Sequence, residues 1–331
     1  MNEKRGSQAR PVSPAASKRC SLGYALCLIC HLLWIMHIAT PANAQNCTVT
    51  MPAMAFGSVN VLTGAAVNSA STISVSCNGG SAAGQRLCIS MGVGSAGDAT
   101  SREMTGPAAA LLRYDLYTDA ARTHLWGSWQ TGYDIAGVQL DVARGSTTPI
   151  TIYGKLFGSQ QTVAPGSYSS TFAANPFVQY GNIGAPSCPT GARTASTSTT
   201  ATATVLSSCN VSATNLNFGT ASVLSANVDA TSTMSVQCSN ALPYTVALNG
   251  GNSGAVNPTL RKMANGPAQI TYGLYRDAIR SLPWGSTTGT NTASGTGNGL
   301  VQTLTVFGRV PTQTTPAPGL YQDTIVVTLT Y

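Results

Sequence analysis

The chain has 331 residues, room for two domains of ordinary size, and only 8% of them are charged. Surface helices lean on Glu and Lys, so this Gly-, Ser-, Thr- and Ala-rich composition argues against a helical protein and suits strands joined by turns. The formal charge of +7 becomes +3 without residues 1–44, where 12 basic face 9 acidic residues in no clustered patch, and nucleic-acid binding is left without an electrostatic footprint.

Residues 1–44 read as a secretory signal. Lys4, Arg5, Arg10, Lys18 and Arg19 precede an apolar run from about 22 to 39, and Ala42-Asn43-Ala44 supplies a small-x-small cleavage site. The two histidines in the run, His31 and His37, and the site after it favour removal over a transmembrane anchor. The chain is therefore expected to be exported, and six cysteines then remain for an oxidising compartment.

Short alternating runs follow. Ile73, Val75 and Cys77 alternate with Thr72, Ser74 and Ser76, and Leu87, Ile89 and Met91 share one face. Tyr114 to Tyr117, leading to Trp126-Gly127, and Thr151 to Lys155 continue the pattern. Residues 189–207 form a Ser/Thr/Ala tract with one charge, either a linker or in part a final strand of the first domain. Met234, Val236 and Cys238, then Tyr244, Val246 and Leu248, restart the alternation. It ends with Ile325, Val327, Leu329 and Tyr331 on one face. Strands of this length between Gly, Asn, Pro and Ser clusters predict β-sandwiches.

The chain is written twice. Cys47 with Phe56-Gly57 answers Cys209 with Phe218-Gly219, Arg102 answers Arg261, Tyr114 answers Tyr272, Trp126 answers Trp284, and Ala164-Pro165-Gly166 answers Ala317-Pro318-Gly319. A period near 158 residues is too long for a solenoid, so two copies of one domain are expected, 45–188 and 208–331. Equivalent positions should pair equivalently, giving Cys47–Cys77 and Cys209–Cys238, with Cys88–Cys188 by elimination. The last alternating run has no following strand to cover it. The C-terminal sandwich is therefore expected to lack its last strand and to expose Ile325, Val327, Leu329 and Tyr331 as an acceptor edge for a strand from another chain.

Both units resemble the spore coat protein U domain of secreted pilins in archaic chaperone–usher pili. The early Cys with Phe-Gly, the Tyr-x-Leu-Tyr strand leading to Trp-Gly, Thr-Val-Phe-Gly-Arg (residues 305–309) and the Pro-Gly-x-Tyr turn carry the likeness. It implies incomplete immunoglobulin-like sandwiches, which a periplasmic chaperone stabilises and an outer-membrane usher joins to the donor strand of the next subunit. With Gln45 two positions from Cys47, no donor segment is expected ahead of the first domain. That implies a tip adhesin at the cell surface, with binding in the first unit and anchoring in the second.

For attachment to an apolar surface or other ligand, the first unit offers Trp129, Tyr133 and Ile135, where the second has only Ser, Thr, Gly and Asn. These side chains either form an exposed interaction surface or fold back onto the sandwich. A second stretch, 173–186, holds Phe177, Tyr180 and Ile183 and has no counterpart in the second unit. Val59 to Leu62 is a third, with strand or core favoured. Gly92 to Gly97 matches G-x-G-x-x-G, but no helix opens after it. With one histidine after residue 44 and every cysteine paired, neither a catalytic set nor a cofactor or metal site is expected.

Overall fold

A computed structural model of the chain describes residues 46–331 apart from 79–83, 99–100, 131, 174–177, 184–187 and 189–192. The expected signal and Phe177 lie outside the described residues. The rest is an all-β fold of strands joined by turns and loops, in two successive sandwiches.

The first sandwich contains β1 (Asn46–Thr50), β2 (Met54–Val59), β3 (Val67–Asn78), β4 (Gln85–Ile89), β5 (Arg102–Thr105), β6 (Leu111–Tyr117), β7 (Val138–Val142), β8 (Thr147–Leu156), β9 (Gly166–Ala173), β10 (Val178–Asn182), β11 (Arg193–Ala195) and β12 (Ser198–Val205). One sheet has the order β1-β3-β8-β6-β5-β9-β12-β2 and the other β11-β10-β4-β7. Inward positions along each strand supply the core. Ile73 and Val75 from β3, Leu87 and Ile89 from β4, and Leu112, Tyr114 and Leu116 from β6 pack with Trp126 and Ile152. The Trp126 indole N–H donates to the Ile89 carbonyl at 3.3 Å, which satisfies its one polar atom inside the core.

The second sandwich repeats this plan with β13 (Cys209–Ala213), β14 (Val228–Cys238), β15 (Pro243–Leu248), β16 (Arg261–Asn265), β17 (Ala268–Tyr275), β18 (Ala293–Thr296), β19 (Gln302–Val310) and β20 (Val327–Thr330). Its sheets run β13-β14-β19-β17-β16 and β18-β15-β20. The Trp284 indole donates to the Val246 carbonyl at 2.9 Å, as Trp126 does to Ile89. Disulfides join Cys47–Cys77, Cys88–Cys188 and Cys209–Cys238. The first and last link residues directly opposite one another, on β1 and β3 and on β13 and β14.

Two repeated glycine motifs have a geometric cause. Gly57 and Gly219 hold φ of +73° and +75°, a left-handed conformation that costs side-chain-bearing residues energy. Gly57 also lies within β2 where the β2–β12 register slips. Gly154 and Gly308 are close approaches. A Cβ on Gly154 would meet Phe56 Cζ at 2.9 Å, and one on Gly308 would meet Phe218 Cζ at the same distance. The aromatic of each Phe-Gly pair lies across its glycine, so the two motifs depend on each other.

The sandwiches meet end to end. The Asn240 side-chain amide donates to the Thr162 carbonyl at 2.7 Å, and that of Asn60 donates to Ser208 Oγ at 3.1 Å. Thr162 follows β8, whose Leu156 end therefore faces the junction. Ten strand residues at about 3.3 Å each put the Thr147 end of β8 roughly 30 Å away.

Candidate functional site

Strand β12 is the difference between the two copies. It pairs antiparallel with β9 along eight residues, from Ser198↔Ala173 to Val205↔Gly166, and parallel with β2 on its other side. Its Thr199, Ala201, Ala203 and Val205 are buried. The segment between the two repeats thus fills the gap between β9 and β2 and closes the first sandwich.

Nothing among the described residues does this for the second. The equivalents of β9 and β2 are residues 319–326 and 216–221. Tyr168 and Tyr321 anchor the equivalence, each donating its hydroxyl to the carbonyl four residues back, Ala164 and Ala317. The bridge between Ala264 and Gln322 matches that between Thr105 and Ser169. Yet β9 is a continuous strand, whereas 319–326 shows only the isolated bridge at Gln322, and 216–221 has no strand at all. Strand geometry persists where a ladder holds it, and the ladder that β12 supplies is missing here.

Burial records the same vacancy. Met54, Phe56, Met104, Leu112 and Phe172 are buried in the first sandwich. Their counterparts Leu216, Phe218, Met263, Ile270 and Ile325 are only partly buried, although they pack on the second core. Val327 and Leu329 pair with Leu248 and Val246 on one edge of β20 and are also partly buried, while Tyr331 is 57% exposed. Among the described residues no strand completes the C-terminal sandwich. The result is an apolar slot whose flanking segments have no strand partner across it among the described residues, the geometry that β-strand addition requires.

One ionisable cluster lies beside the slot. Asp323, the counterpart of Ser170, accepts the Tyr272 hydroxyl at 2.6 Å and the Asn252 and Thr324 amides at 2.7 and 2.8 Å. Burial, and then the bond to Asp323, push the Tyr272 phenol far above its usual range. Arg261 is fully buried and donates to the Leu248, Asn249, Pro258 and Trp284 carbonyls. Burial lowers its pKa, and the neighbouring Tyr272 and Asp323 groups oppose that shift.

The attachment candidates are not brought together. Trp129, Tyr133 and Ile135 belong to one loop, and it folds back over the end of β4. The Trp129 indole donates to the Val138 carbonyl at 3.4 Å, and Tyr133 Oη accepts the Val93 amide at 3.1 Å. Ile135 offers its carbonyl to the Ser128 amide at 2.9 Å. All three side chains remain partly exposed. Ile183 lies at the opposite end of β4, where its Cδ1 would stand 3.1 Å from a Cβ on Gly84. Tyr180 corrects an expectation. It is 5% exposed, because β10 pairs with β4 as β20 pairs with β15, and Tyr180 and Val178 alternate onto its inner face. The stretch 173–186 therefore has a partial counterpart, and Tyr180 is a core residue, unavailable to a surface. Val59, Val61 and Leu62 are buried as well.

A closed immunoglobulin-like sandwich followed by an open one defines a two-domain all-β protein. The chain belongs to the Spore Coat Protein U domain family, whose model matches residues 35–175 and 195–328. Protein U of Myxococcus xanthus is 34% identical over 128 residues, which cover 35% of this chain and 71% of that protein. Among solved structures, the CsuC–CsuE chaperone–tip adhesion subunit pre-assembly complex from the archaic chaperone–usher Csu pili of Acinetobacter baumannii is similar in fold. The TM-score is 0.50 and the identity 18%, over 86% of this chain and all of that one. The CupB6 tip adhesin of Pseudomonas aeruginosa matches at a TM-score of 0.37 and 12% identity, over 86% of this chain and 94% of that one.

Proposed function

We propose that this chain is the tip subunit of an archaic chaperone–usher pilus. Its first sandwich attaches the fibre to a surface and promotes biofilm growth, and its second anchors it to the fibre. The observation that carries the reading is the slot between residues 216–221 and 319–326, empty in the second sandwich and filled by β12 in the first. A periplasmic chaperone would lend a strand to this slot during export, and the usher would exchange it for the donor strand of the next subunit. The likeness in fold to a chaperone-bound tip adhesion subunit supports the same reading.

Expressed in the periplasm without a chaperone, the chain should aggregate or be degraded, and a donor strand fused after Tyr331 should rescue it as a monomer. A stable monomer without the fusion would overturn the reading. Immunogold label against the first sandwich should mark fibre ends, and label along the shaft would sink the tip assignment. The relationship to Protein U favours a second reading, a secreted coat or matrix protein. That reading requires export and surface retention in cells lacking the usher.

A further inference from the structure

The slot contains one position where the two copies differ in charge. Ala201 of β12 lies directly opposite Ser170 of β9, and both are fully buried. The residue equivalent to Ser170 is Asp323. A strand entering the second slot in the register of β12 would set one side chain against that carboxylate.

Asp323 is already committed on both oxygens. Oδ1 accepts two backbone amides, and Oδ2 accepts the Tyr272 hydroxyl. A carboxylate has about four acceptor positions, so roughly one remains for an incoming group. Among the described residues Arg261 has no carboxylate within ion-pair distance, and Asp323 is the acidic side chain whose charge bears on it. Covering the slot would take the Asp323 carboxylate out of water, with roughly one acceptor position still to be met. A hydroxyl or a small side chain opposite it leaves room for the fourth hydrogen bond, whereas a branched aliphatic one removes the solvent and offers none.

We propose that Asp323 is the specificity-determining residue of the acceptor slot. It admits a donor strand with Ser, Thr, Gly or Ala at the facing position and rejects one with Leu, Ile or Phe there. The proposal rests on the strand-accepting reading above and adds to it a rule for which strands fit. The remaining slot residues, Leu216, Phe218, Met263, Ile270 and Ile325, are apolar like their first-sandwich counterparts and do not impose this rule.

The test uses the full exported chain extended after Tyr331 by a short flexible linker and the sequence of β12. The residue corresponding to Ala201 is set to Ser, Ala or Leu, in the parent and in Asp323→Ser. In the parent, the Ser and Ala strands should give soluble monomer, and the Leu strand should lower the melting midpoint of the second sandwich by on the order of 5 °C or reduce monomer yield several-fold. In Asp323→Ser the Leu strand should be tolerated as well as Ala, which also shows that the Leu strand is competent to pair. Equal acceptance of all three strands by the parent overturns the role of Asp323 and leaves the slot reading intact. Failure of every strand to raise monomer yield above that of the unextended chain overturns both.

Discussion

Arg102 donates through Nη1 to Asp115 Oδ1 at 3.0 Å between β5 and β6, with side chains 7% and 5% exposed. The same guanidinium reaches the Met91, Gly92 and Trp126 carbonyls, tying β5 to the segment that follows β4 in the other sheet. Burial raises the Asp115 carboxyl, and Arg102 pulls it part of the way back. In the second sandwich the arginine remains as Arg261, but Gly273 replaces the aspartate, and Asp323 on another segment acts on it through space, outside ion-pair distance. The two copies supply one buried cation with counter-charge from different places.

This exchange can be tested by transplanting it. Asp115→Gly should destabilise the first sandwich by about 3–5 kcal/mol, because it leaves a buried guanidinium without its partner. Adding Ser170→Asp should restore a substantial part in urea unfolding, since position 170 is where the second copy keeps its acid. A double variant less stable than the single one would show that the two solutions are not interchangeable.

Much of this architecture is legible in the sequence, and the misses have physical causes. The alternating apolar faces of β3, β4, β6, β14 and β15 are rich in Ile, Val, Leu and Tyr, so their period is plain. The terminal run from Ile325 to Tyr331 is equally plain. Strand β12 is harder to see because Ala201 and Ala203 alternate with Thr200, Thr202 and Thr204. The contrast in hydropathy there is slight, and a linker reads almost the same. Tyr180 reads as a loop residue for a different reason. Two residues inserted between β9 and β10 break the spacing to its counterpart Tyr331, so a core strand looks like an extra loop. Asp323 gives no sequence signal of a site, since its meaning comes from register against a strand the second sandwich lacks.

The surface ion pairs set an acid dependence. Arg309 donates to Asp229 at 2.7 and 2.8 Å, Arg280 stands 3.2 Å away, and the Arg309 bond holds the Asp229 carboxyl below the usual range. Arg86 does the same for Asp141 in the first sandwich. A depressed carboxylate pKa contributes stability above the unfolded-state value near 4, and that contribution disappears as pH falls through the folded value. Both carboxylates are well exposed, so the effect is small. Melting curves of Asp229→Asn should have a flatter acid limb for the second sandwich alone. An unchanged limb would mean that the pair contributes nothing to stability.

The Cys88–Cys188 bridge spans 100 residues and has no counterpart in the second sandwich. In the chain-entropy account a loop of that size is worth roughly 4–5 kcal/mol. Replacing both cysteines by Ser should lower the calorimetric transition of the first sandwich and leave that of the second in place. A joint shift of both would mean that the sandwiches unfold as one cooperative unit.

The proposed attachment role can be tested at the end of the first sandwich remote from the junction. Ile183 lies there beside Gly84, at the Val142 end of β7, and the Gly145 amide donates to the Cys77 carbonyl across the same pole. Trp129 and Tyr133 instead bind their loop to Val138 of β7 and to Val93 beyond the end of β4. Tyr133→Phe should cost about 1 kcal/mol through loss of the acceptor for Val93, and Trp129→Ser about 2 kcal/mol through lost packing on Gly137. Ile183→Ser should cost less than 1 kcal/mol, since the side chain is only partly buried. If the remote pole carries adhesion, Ile183→Ser fibres should attach poorly although they assemble and melt normally. Trp129→Ser fibres should attach normally at temperatures where the sandwich stays folded. The reverse pattern would place the attachment surface on the loop from Trp129 to Ile135.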